Sequence, residues 1–256
     1  MVINGTYGAS KDETNDLYDP KQANQVCING QLMLIDLMWH LTSGCGAEII
    51  QSNTDGVLVK MPDGFAGGPD AFYSAVDDIA AEWESRTGMQ LEFDEYAKVF
   101  QKDVNNYILV ADDGHTKGKG AYVKELSELD ADMPVVNRAL IAYMVDGVLP
   151  EVTINAATDL IDFQRVVKLS GKYLYCMHGR ERLQDKCFRV FASKRQHDGG
   201  IFKAKRVGKK PEKFACTSEH VFIDNGDIHG KLAPDYLDRR WYIDLAYKRL
   251  EQFGVA

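Results

Sequence analysis

The stretch that decides the fold runs from Ala47 to Met61 and has the sequence AEIIQSNTDGVLVKM. β-branched and apolar residues, which favour strands, lie on both sides of a short polar segment. That segment is Asn53-Thr54-Asp55-Gly56, in which Gly tolerates a positive φ and Asp can hydrogen-bond its own backbone. The pattern predicts a β-hairpin with one carboxylate, Asp55, at its tip. Two interpretations stay open: an ordinary Asp-Gly turn, or a carboxylate held at a strand end for a divalent metal.

The composition is that of a soluble globular protein with one large domain or two modest ones. The chain has 256 residues, of which 45% are hydrophobic. Its 5 cysteines are far apart and form no Cys-x-x-Cys pair, which argues against a disulfide framework and a zinc site. Neither a signal-peptide pattern nor an apolar run of roughly 18 residues occurs. We therefore expect a cytoplasmic protein without a membrane partner.

Charge is distributed unevenly along the chain. The formal net charge is -8, but residues 1–125 carry a net charge of -11 and residues 126–256 carry +3. Within the second part, Arg165 to Lys213 contains 15 basic and 4 acidic residues. A concentrated basic segment in an acidic protein is typical of contacts with a phosphate backbone. The alternative is a solvated helix face followed by a basic loop.

The first 125 residues contain both helix and strand patterns. Asp19-Pro20 predicts the start of a long amphipathic helix that ends at Ser43-Gly44 and leads into the hairpin. A second helix is predicted from Pro69 to Gly88, followed by strands joined across Asp112-Asp113-Gly114. Residues 2–18 are rich in Gly and are not expected to form a helix interior. This part therefore predicts an α+β fold with helices packed on an antiparallel sheet.

From Leu126 onward the pattern is mainly helical. The caps and apolar periodicity of helices occur in Asp132 to Tyr143, Pro150 to Lys168 and Pro234 to Phe253. The basic segment defined above carries Tyr and Phe residues among its Lys and Arg. That combination is compatible with a core strand or helix that has a solvated basic edge.

Two short motifs resemble signature motifs of family B DNA polymerases. Asn4-Gly5-Thr6-Tyr7-Gly8 is similar to the motif at the base of the fingers, Lys-x-x-x-Asn-Ser-x-Tyr-Gly. About 45 residues later, Asn53-Thr54-Asp55-Gly56 is similar to the palm motif Asp-Thr-Asp. In that family a long helix lies between the two motifs, as the helix from Asp19 to Leu41 would here.

The resemblance extends over essentially the whole chain. Lys102 to Tyr107 falls where family members carry a Lys-Lys-x-Tyr contact to the primer-template junction. The part from Leu126 is similar to the thumb of bacteriophage-type members. The resemblance thus implies an α+β fold in which residues 1–125 are the C-terminal part of the palm, with the base of the fingers at 1–18. Residues 126–256 would be a mainly helical thumb.

A DNA-directed DNA polymerase is the function that the resemblance implies. Such an enzyme adds a nucleotide to a primer 3′-hydroxyl with the help of two Mg²⁺ ions. Its partners would be primer-template DNA and a deoxynucleoside triphosphate. The compartment would be the cytoplasm of a bacterium or of a phage-infected cell.

The resemblance also assigns roles to individual residues. Asp55 would be the catalytic carboxylate and a metal ligand, with Asn53 as a neutral oxygen ligand of the metal. Asn4, Tyr7 and Gly8 would line the nascent base pair. The expected DNA contacts are Thr54, Asn106, Tyr107, Lys117, Lys119, Lys172, Arg180 and Arg182.

Several features depart from the family pattern. Asn53 stands in place of the first palm Asp, Gly5 in place of Ser, and Asn105-Asn106 in place of paired Lys. The primer contact would therefore lose charge and rely on amide hydrogen bonds and Tyr107. An earlier Asp motif, the fingers Lys and an exonuclease domain have no counterpart in this sequence. The resemblance therefore implies a missing N-terminal polymerase part that carries the second catalytic Asp.

Two other classes of function remain open. One is a non-catalytic DNA-binding remnant or an accessory subunit of a split polymerase. The other is a different two-metal palm enzyme, such as a nucleotide cyclase. That enzyme would need neither a thumb nor a salt-sensitive affinity for duplex DNA.

Overall fold

The computed structural model describes residues 2–120, 122–123, 133–205 and 210–255. They form two compact units, which divide between Asp94 and Glu95. The boundary predicted at residues 125/126 lies outside the described residues; Ile108 and Val123 before it belong to the same buried core as Met133 after it. The assignment of residues 1–125 and 126–256 to two parts stays a prediction.

Within the described residues, the first unit consists of three helices and one hairpin. Its elements are helix α1 (Val2–Lys11), helix α2 (Pro20–Cys45), strand β1 (Glu48–Ser52), strand β2 (Val57–Lys60) and helix α3 (Gly68–Thr87). Strands β1 and β2 pair in antiparallel fashion, with an irregularity between Ile49 and Gln51. The hairpin predicted around Asn53 to Gly56 is therefore confirmed.

Local signals in the sequence explain both ends of α2. The Asp19 side chain accepts hydrogen bonds from the backbone N–H groups of Lys21 and Gln22, and Pro20 occupies the first helical position. The helix continues past the predicted end at Ser43-Gly44. It ends where Gly46, with a φ of 68°, supplies the left-handed cap.

The expectation that residues 2–18 contain no helix is wrong for residues 2–11, which form α1. This helix packs on α2, where a 2.8 Å hydrogen bond joins the Tyr7 hydroxyl and the Cys27 thiol. Ser10 is buried, and its hydroxyl donates to the Tyr7 carbonyl. These contacts outweigh the roughly 1 kcal/mol that each Gly in a helix interior costs relative to Ala.

One side of α2 packs against α3 and the hairpin. Leu37 and Leu41 of α2 share a buried core with Trp83 of α3. Val57 and Val59 of β2 pack against the same core. The hairpin is thereby held beside α2, and its tip is placed by the packing of β2.

The second unit begins with a sheet and continues into helices. Strands β3 (Lys98–Asp103), β4 (Asn106–Val110) and β5 (Thr116–Lys119) form an antiparallel sheet in the order β3-β4-β5. They are followed by helix α4 (Pro134–Asp146), helix α5 (Pro150–Ala156) and a 3-10 helix (Leu160–Phe163). No helix in the described parts of either unit is long and apolar enough to cross a membrane.

Seven short strands follow within the described residues, before the final helix α6 (Arg239–Glu251). They are β6 (Arg165–Lys168), β7 (Tyr175–His178), β8 (Glu181–Leu183), β9 (Cys187–Ala192), β10 (Ile201–Ala204), β11 (Glu212–Lys213) and β12 (Val221–Ile223). They form two antiparallel sheets, in the orders β12-β9-β6 and β11-β10-β7-β8. The α+β class with antiparallel sheets is confirmed.

The mainly helical character expected from Leu126 onward holds only for the two ends of this region. Residues 165–168, expected in a helix, form strand β6, and α6 begins at Arg239 rather than at Pro234. The short apolar run in β6 suits a helix and a strand equally well. Its pairing with β9, in which Val167 lies opposite Phe188, selects the strand.

Candidate functional site

The β1–β2 hairpin presents the motif from Asn53 to Gly56 at its tip. Strand pairing continues to Ser52 opposite Val57, and the Asn53 N–H donates to the Gly56 carbonyl at 3.0 Å. Asp55 is exposed, and no described residue makes a hydrogen bond or ion pair with its carboxylate. A carboxylate in this position can bind a cation without breaking an existing contact.

The amide of Asn53 orients the tip. Its Oδ1 accepts a 3.1 Å hydrogen bond from the backbone N–H of Asp55, which is the arrangement of an Asx turn. A carbonyl oxygen has two lone pairs, so Asn53 can hold this turn and still offer one neutral oxygen to a ligand. At the position where the family motif has a carboxylate, this chain therefore has a residue that fixes the backbone next to Asp55.

The tip presents one carboxylate, that of Asp55. Across the described ranges, no group of three His, Cys, Asp or Glu side chains comes together to hold a metal ion. In nucleotide enzymes Mg²⁺ is usually held by one or two carboxylates together with substrate phosphates and waters. Asp55 fits one of those carboxylates and Asn53 fits a neutral oxygen ligand. The rest of such a site has to come from other groups.

Tyr7 and Gly8, two of the residues assigned to the nucleotide, lie on helix α1, and the side chain of the third, Asn4, is outside the described part of the structure. Tyr7 is half-buried against Cys27, and Lys11 Nζ lies 4.5 Å from the centroid of the Tyr7 ring. Gly8 is exposed, and a Cβ added there would meet no atom within 4 Å. The helix therefore leaves open space at Gly8, and the nucleotide contact stays a prediction.

Three of the predicted DNA contacts lie on one face of the β3-β4-β5 sheet. Tyr107 on β4 lies opposite Lys119, and Leu109 lies opposite Lys117. Ile108, which points to the other face because side chains alternate along a strand, is buried in the core. Both lysines are exposed and Tyr107 is half-buried. This face therefore presents two cations beside an aromatic ring.

Asn106 is engaged within the turn between β3 and β4. Its Nδ2 donates to both carboxylate oxygens of Asp103, at 2.8 and 3.1 Å. A Cβ at Gly120, whose φ is 97°, would clash with the Asn106 side chain and the Asn105 carbonyl. A DNA contact by the Asn106 amide would therefore have to replace its hydrogen bonds to Asp103.

The Asp103 carboxylate gives this turn a pH dependence. Hydrogen bonds from Lys102 and then Asn106 lower the pKa of Asp103 from 3.8 to about 2. A carboxylate with a lowered folded-state pKa stabilises the fold above its unfolded pKa, and this contribution is lost as the pH falls through the folded value. We expect the wild-type protein to lose more stability than Asp103→Asn between pH 3.8 and about 2, as measured by urea unfolding at a series of pH values.

The expected difference is small, because the carboxylate is accessible to solvent, and it requires a matched control. Asp112→Asn removes another exposed Asp of the same unit. It should follow the wild-type pH dependence. Identical pH dependences for wild type and Asp103→Asn would contradict a stabilising role for this carboxylate.

The remaining predicted DNA contacts lie around β7 and β8. Lys172 is in the turn before β7, Arg180 is in the β7–β8 turn and Arg182 is on β8, and all three are exposed. The Arg182 guanidinium carbon lies 4.4 Å from the centroid of the Tyr175 ring. Thr54 is exposed at the hairpin tip of the first unit, so the predicted DNA contacts are divided between the two units.

Helix α2 has a second apolar face that sequence reasoning did not select. Ile28, Leu32, Ile35 and Trp39 are exposed by 53, 57, 56 and 63%. Their spacing of four, three and four residues places them on one side of the helix, opposite the buried Leu37. A contiguous row of exposed apolar side chains marks an interaction surface. We call these four residues the outer stripe of α2.

Comparison with known proteins identifies the fold. No family model matches this sequence, and no curated protein matches it. Among solved structures, the family B DNA polymerase from the hyperthermophilic archaeon Pyrobaculum calidifontis is similar, with a TM-score of 0.50 and 17% identity over 98% of this chain. The chain covers 32% of that polymerase, about a third of its length. At this identity the likeness concerns the fold alone: the chain has a fold like that of part of a family B DNA polymerase.

Proposed function

We propose that this chain is the C-terminal palm and thumb part of a DNA-directed DNA polymerase. The observation that carries the proposal is the exposed Asp55 carboxylate at a hairpin tip, in a chain with a polymerase-like fold. Residues 1–125 would belong to the palm, with the base of the fingers at 1–18, and residues 126–256 would form the thumb. A bacteriophage-type enzyme remains the expectation from the resemblance of the part from Leu126 onward, and the solved structure described above is archaeal.

The reaction is the attack of a primer 3′-hydroxyl on the α-phosphate of a nucleotide. When bound, two Mg²⁺ ions supply activation of that hydroxyl and neutralisation of the developing charge. The role of this chain is to hold Asp55 in place through the Asx turn of Asn53. Tyr7 and Gly8 on α1 would line the nucleotide. A second catalytic carboxylate would come from the missing N-terminal part.

The proposed contacts with primer-template DNA are electrostatic. Two groups of cations would bind phosphates: Lys117 and Lys119 on one sheet face, and Lys172, Arg180 and Arg182 around β7 and β8. Contacts with phosphates position a duplex without reading its sequence. Affinity for duplex DNA should therefore fall by orders of magnitude between low and moderate salt. A nucleotide cyclase has no need of such an affinity.

The outer stripe of α2 supports the need for a further polypeptide part. A helix with apolar residues on two opposite sides is stable when each side packs against other secondary structure. In the first unit, α3 and the hairpin cover one side of α2. A two-stranded sheet such as β1–β2 is also marginal by itself. We propose that the N-terminal polymerase part, with the exonuclease, the first palm motif and the fingers, covers this stripe.

Substitutions in the outer stripe should separate association from folding. We expect Ile35→Asp/Trp39→Asp to weaken binding of the N-terminal polymerase part from the same source at least about tenfold, since buried aromatic residues dominate interfaces. Both side chains are exposed in this chain, so its thermal unfolding should change little. Association is measured by co-purification and by light scattering of the mixed proteins.

A matched control is available in the second unit. Leu149→Asp/Val152→Asp changes two apolar residues that are exposed by 51 and 59% on or beside α5. This control should bind the N-terminal part as the wild type does. Equal binding by the stripe variant and the control would contradict the proposed interface.

Primer extension tests the function directly. The chain alone should not extend a primer, because it supplies one carboxylate, and the complex with the N-terminal part should extend it. Extension by the chain alone would contradict the proposal. A complex that binds DNA tightly but extends no primer would support the second candidate, a non-catalytic DNA-binding remnant or accessory subunit. The presence of Asn53 in place of a carboxylate favours that candidate.

A further inference from the structure

The β11-β10-β7-β8 sheet has one face in a core and one face outside it. Cys176 of β7 and Ile201 of β10 are fully buried in the core beneath this sheet. Tyr175, Met177 and Phe202 alternate with them and point to the opposite face. These three residues are half-buried, and none of the described core clusters includes them. We call Tyr175, Met177 and Phe202 the aromatic face.

Strand pairing places the members of this face beside one another. Met177 lies opposite Phe202 of β10 on one side and opposite Arg182 of β8 on the other. Tyr175 is two residues from Met177 on the same side of β7, and the Arg182 guanidinium carbon lies 4.4 Å from its ring centroid. Two aromatic rings, a thioether and a guanidinium therefore form a continuous surface across three strands.

The charged groups of this face are cationic. By strand register Arg182 of β8 and Lys213 of β11 share the face, whereas Glu181 and Glu212 fall on the opposite one. Lys213 is paired with Glu219, so Arg182 is the charged group that contacts an aromatic ring of the face.

Two further cations flank the aromatic face. Lys172 precedes β7 and Arg180 follows it, and both are exposed. They stand at the two ends of the strand that carries Tyr175 and Met177. A strip of half-buried rings on the open face of a sheet, with a cation at each end, matches a chain of bases joined by phosphates.

We propose that the aromatic face binds single-stranded nucleic acid. Bases would stack on Tyr175 and Phe202, while Lys172, Arg180 and Arg182 bind the phosphates. Stacking on an exposed sheet requires bases that are not already stacked and paired in a duplex, so the preference is for an unpaired strand. The same three cations are assigned above to duplex phosphates, and the part that goes beyond the proposed polymerase function is the stacking on the two rings, which the paired bases of a duplex cannot reach.

The test uses the whole chain and two labelled probes, an oligo-dT of roughly 15 nucleotides and a blunt duplex of similar length. Tyr175→Leu/Phe202→Leu keeps the apolar bulk but removes the rings. We expect this variant to bind oligo-dT on the order of tenfold or more weakly in fluorescence anisotropy, with duplex affinity unchanged. The matched control Tyr18→Leu/Phe93→Leu, which alters two exposed aromatic residues of the first unit, should bind both probes as the wild type does.

A second measurement uses the unaltered protein, so it does not depend on the folding of a variant. Photocrosslinking to oligo-dT that contains 5-iodouracil should label Tyr175 or Phe202. Labelling confined to other residues would overturn the inference, as would failure of the wild type to bind oligo-dT. Equal losses of affinity for oligo-dT and for the duplex in Tyr175→Leu/Phe202→Leu would also overturn it. If the wild type binds the duplex but not oligo-dT, the single-strand inference fails while the proposed polymerase function stands. This outcome therefore distinguishes failure of the inference from failure of the proposed function.

Discussion

Asp55→Asn is expected to reduce primer extension by the reconstituted polymerase at least about a hundredfold, the scale of losing one group that stabilises charge in a transition state. The substitution removes the charge and keeps the shape of the side chain. Because Asp55 is exposed and its carboxylate has no described partner, folding should be unaffected. The measurement is single-turnover primer extension by the complex, with thermal unfolding of the chain alone as a check.

The control for this substitution is Asp63→Asn. The Asp63 side chain is 95% exposed in the loop after β2, where it pairs with Lys60 at 3.3 Å. Its loss should leave extension unchanged, since the residue is outside the hairpin tip. Full activity of the Asp55→Asn complex would refute the assignment of Asp55 as the catalytic carboxylate and favour the non-catalytic alternative.

Trp83→Ala is expected to destabilise the first unit by about 3–5 kcal/mol, the usual cost of removing a large aromatic residue from a core. Trp83 is 2% exposed and packs with Leu37 and Leu41 of α2. Its Nε1 also donates to the Met33 carbonyl at 3.2 Å. Domains are stable by only about 5–15 kcal/mol, so this loss is a large fraction of the total. Urea unfolding followed by circular dichroism measures it.

Trp39 provides the matched control, because it lies on α2 itself and is 63% exposed. Trp39→Ala should change the free energy of unfolding by about 0.5 kcal/mol or less. Trp83→Phe keeps most of the ring volume and loses the hydrogen bond to Met33, so it should fall between the two. Equal effects of Trp83→Ala and Trp39→Ala would show that the core between α2 and α3 does not stabilise this unit.

The features that short-range signals determine were predicted from the sequence. The turn residues from Asn53 to Gly56 predicted the hairpin, because Asp and Gly satisfy the backbone of a tight turn locally. Asp19 and Pro20 predicted the start of α2, and Gly88 predicted the end of α3, since caps act within one helical turn. The resemblance of the sequence to family B DNA polymerases agrees with the polymerase-like fold found by comparison.

The chemical surroundings of the candidate site residues depended on contacts between distant segments. Sequence marked Asn106 as an amide that DNA could use, but the structure shows that it donates to Asp103. The sequence selected Lys172, Arg180 and Arg182 for their charge. It did not select Tyr175 or Phe202, because the alternation that sets them on one face with Arg182 requires the register of three strands.

The sequence by itself determined the hairpin, its exposed Asp55 and the α+β class, since turns, caps and periodicity depend on neighbours a few residues away. Tertiary structure alone decided that residues 2–11 are helical, that residues 165–168 form a strand, and that the outer stripe of α2 is left uncovered. The physical reason is the same in each case. An apolar or glycine-containing segment is compatible with several local conformations and environments, and the surface on which it packs, or the lack of one, selects among them.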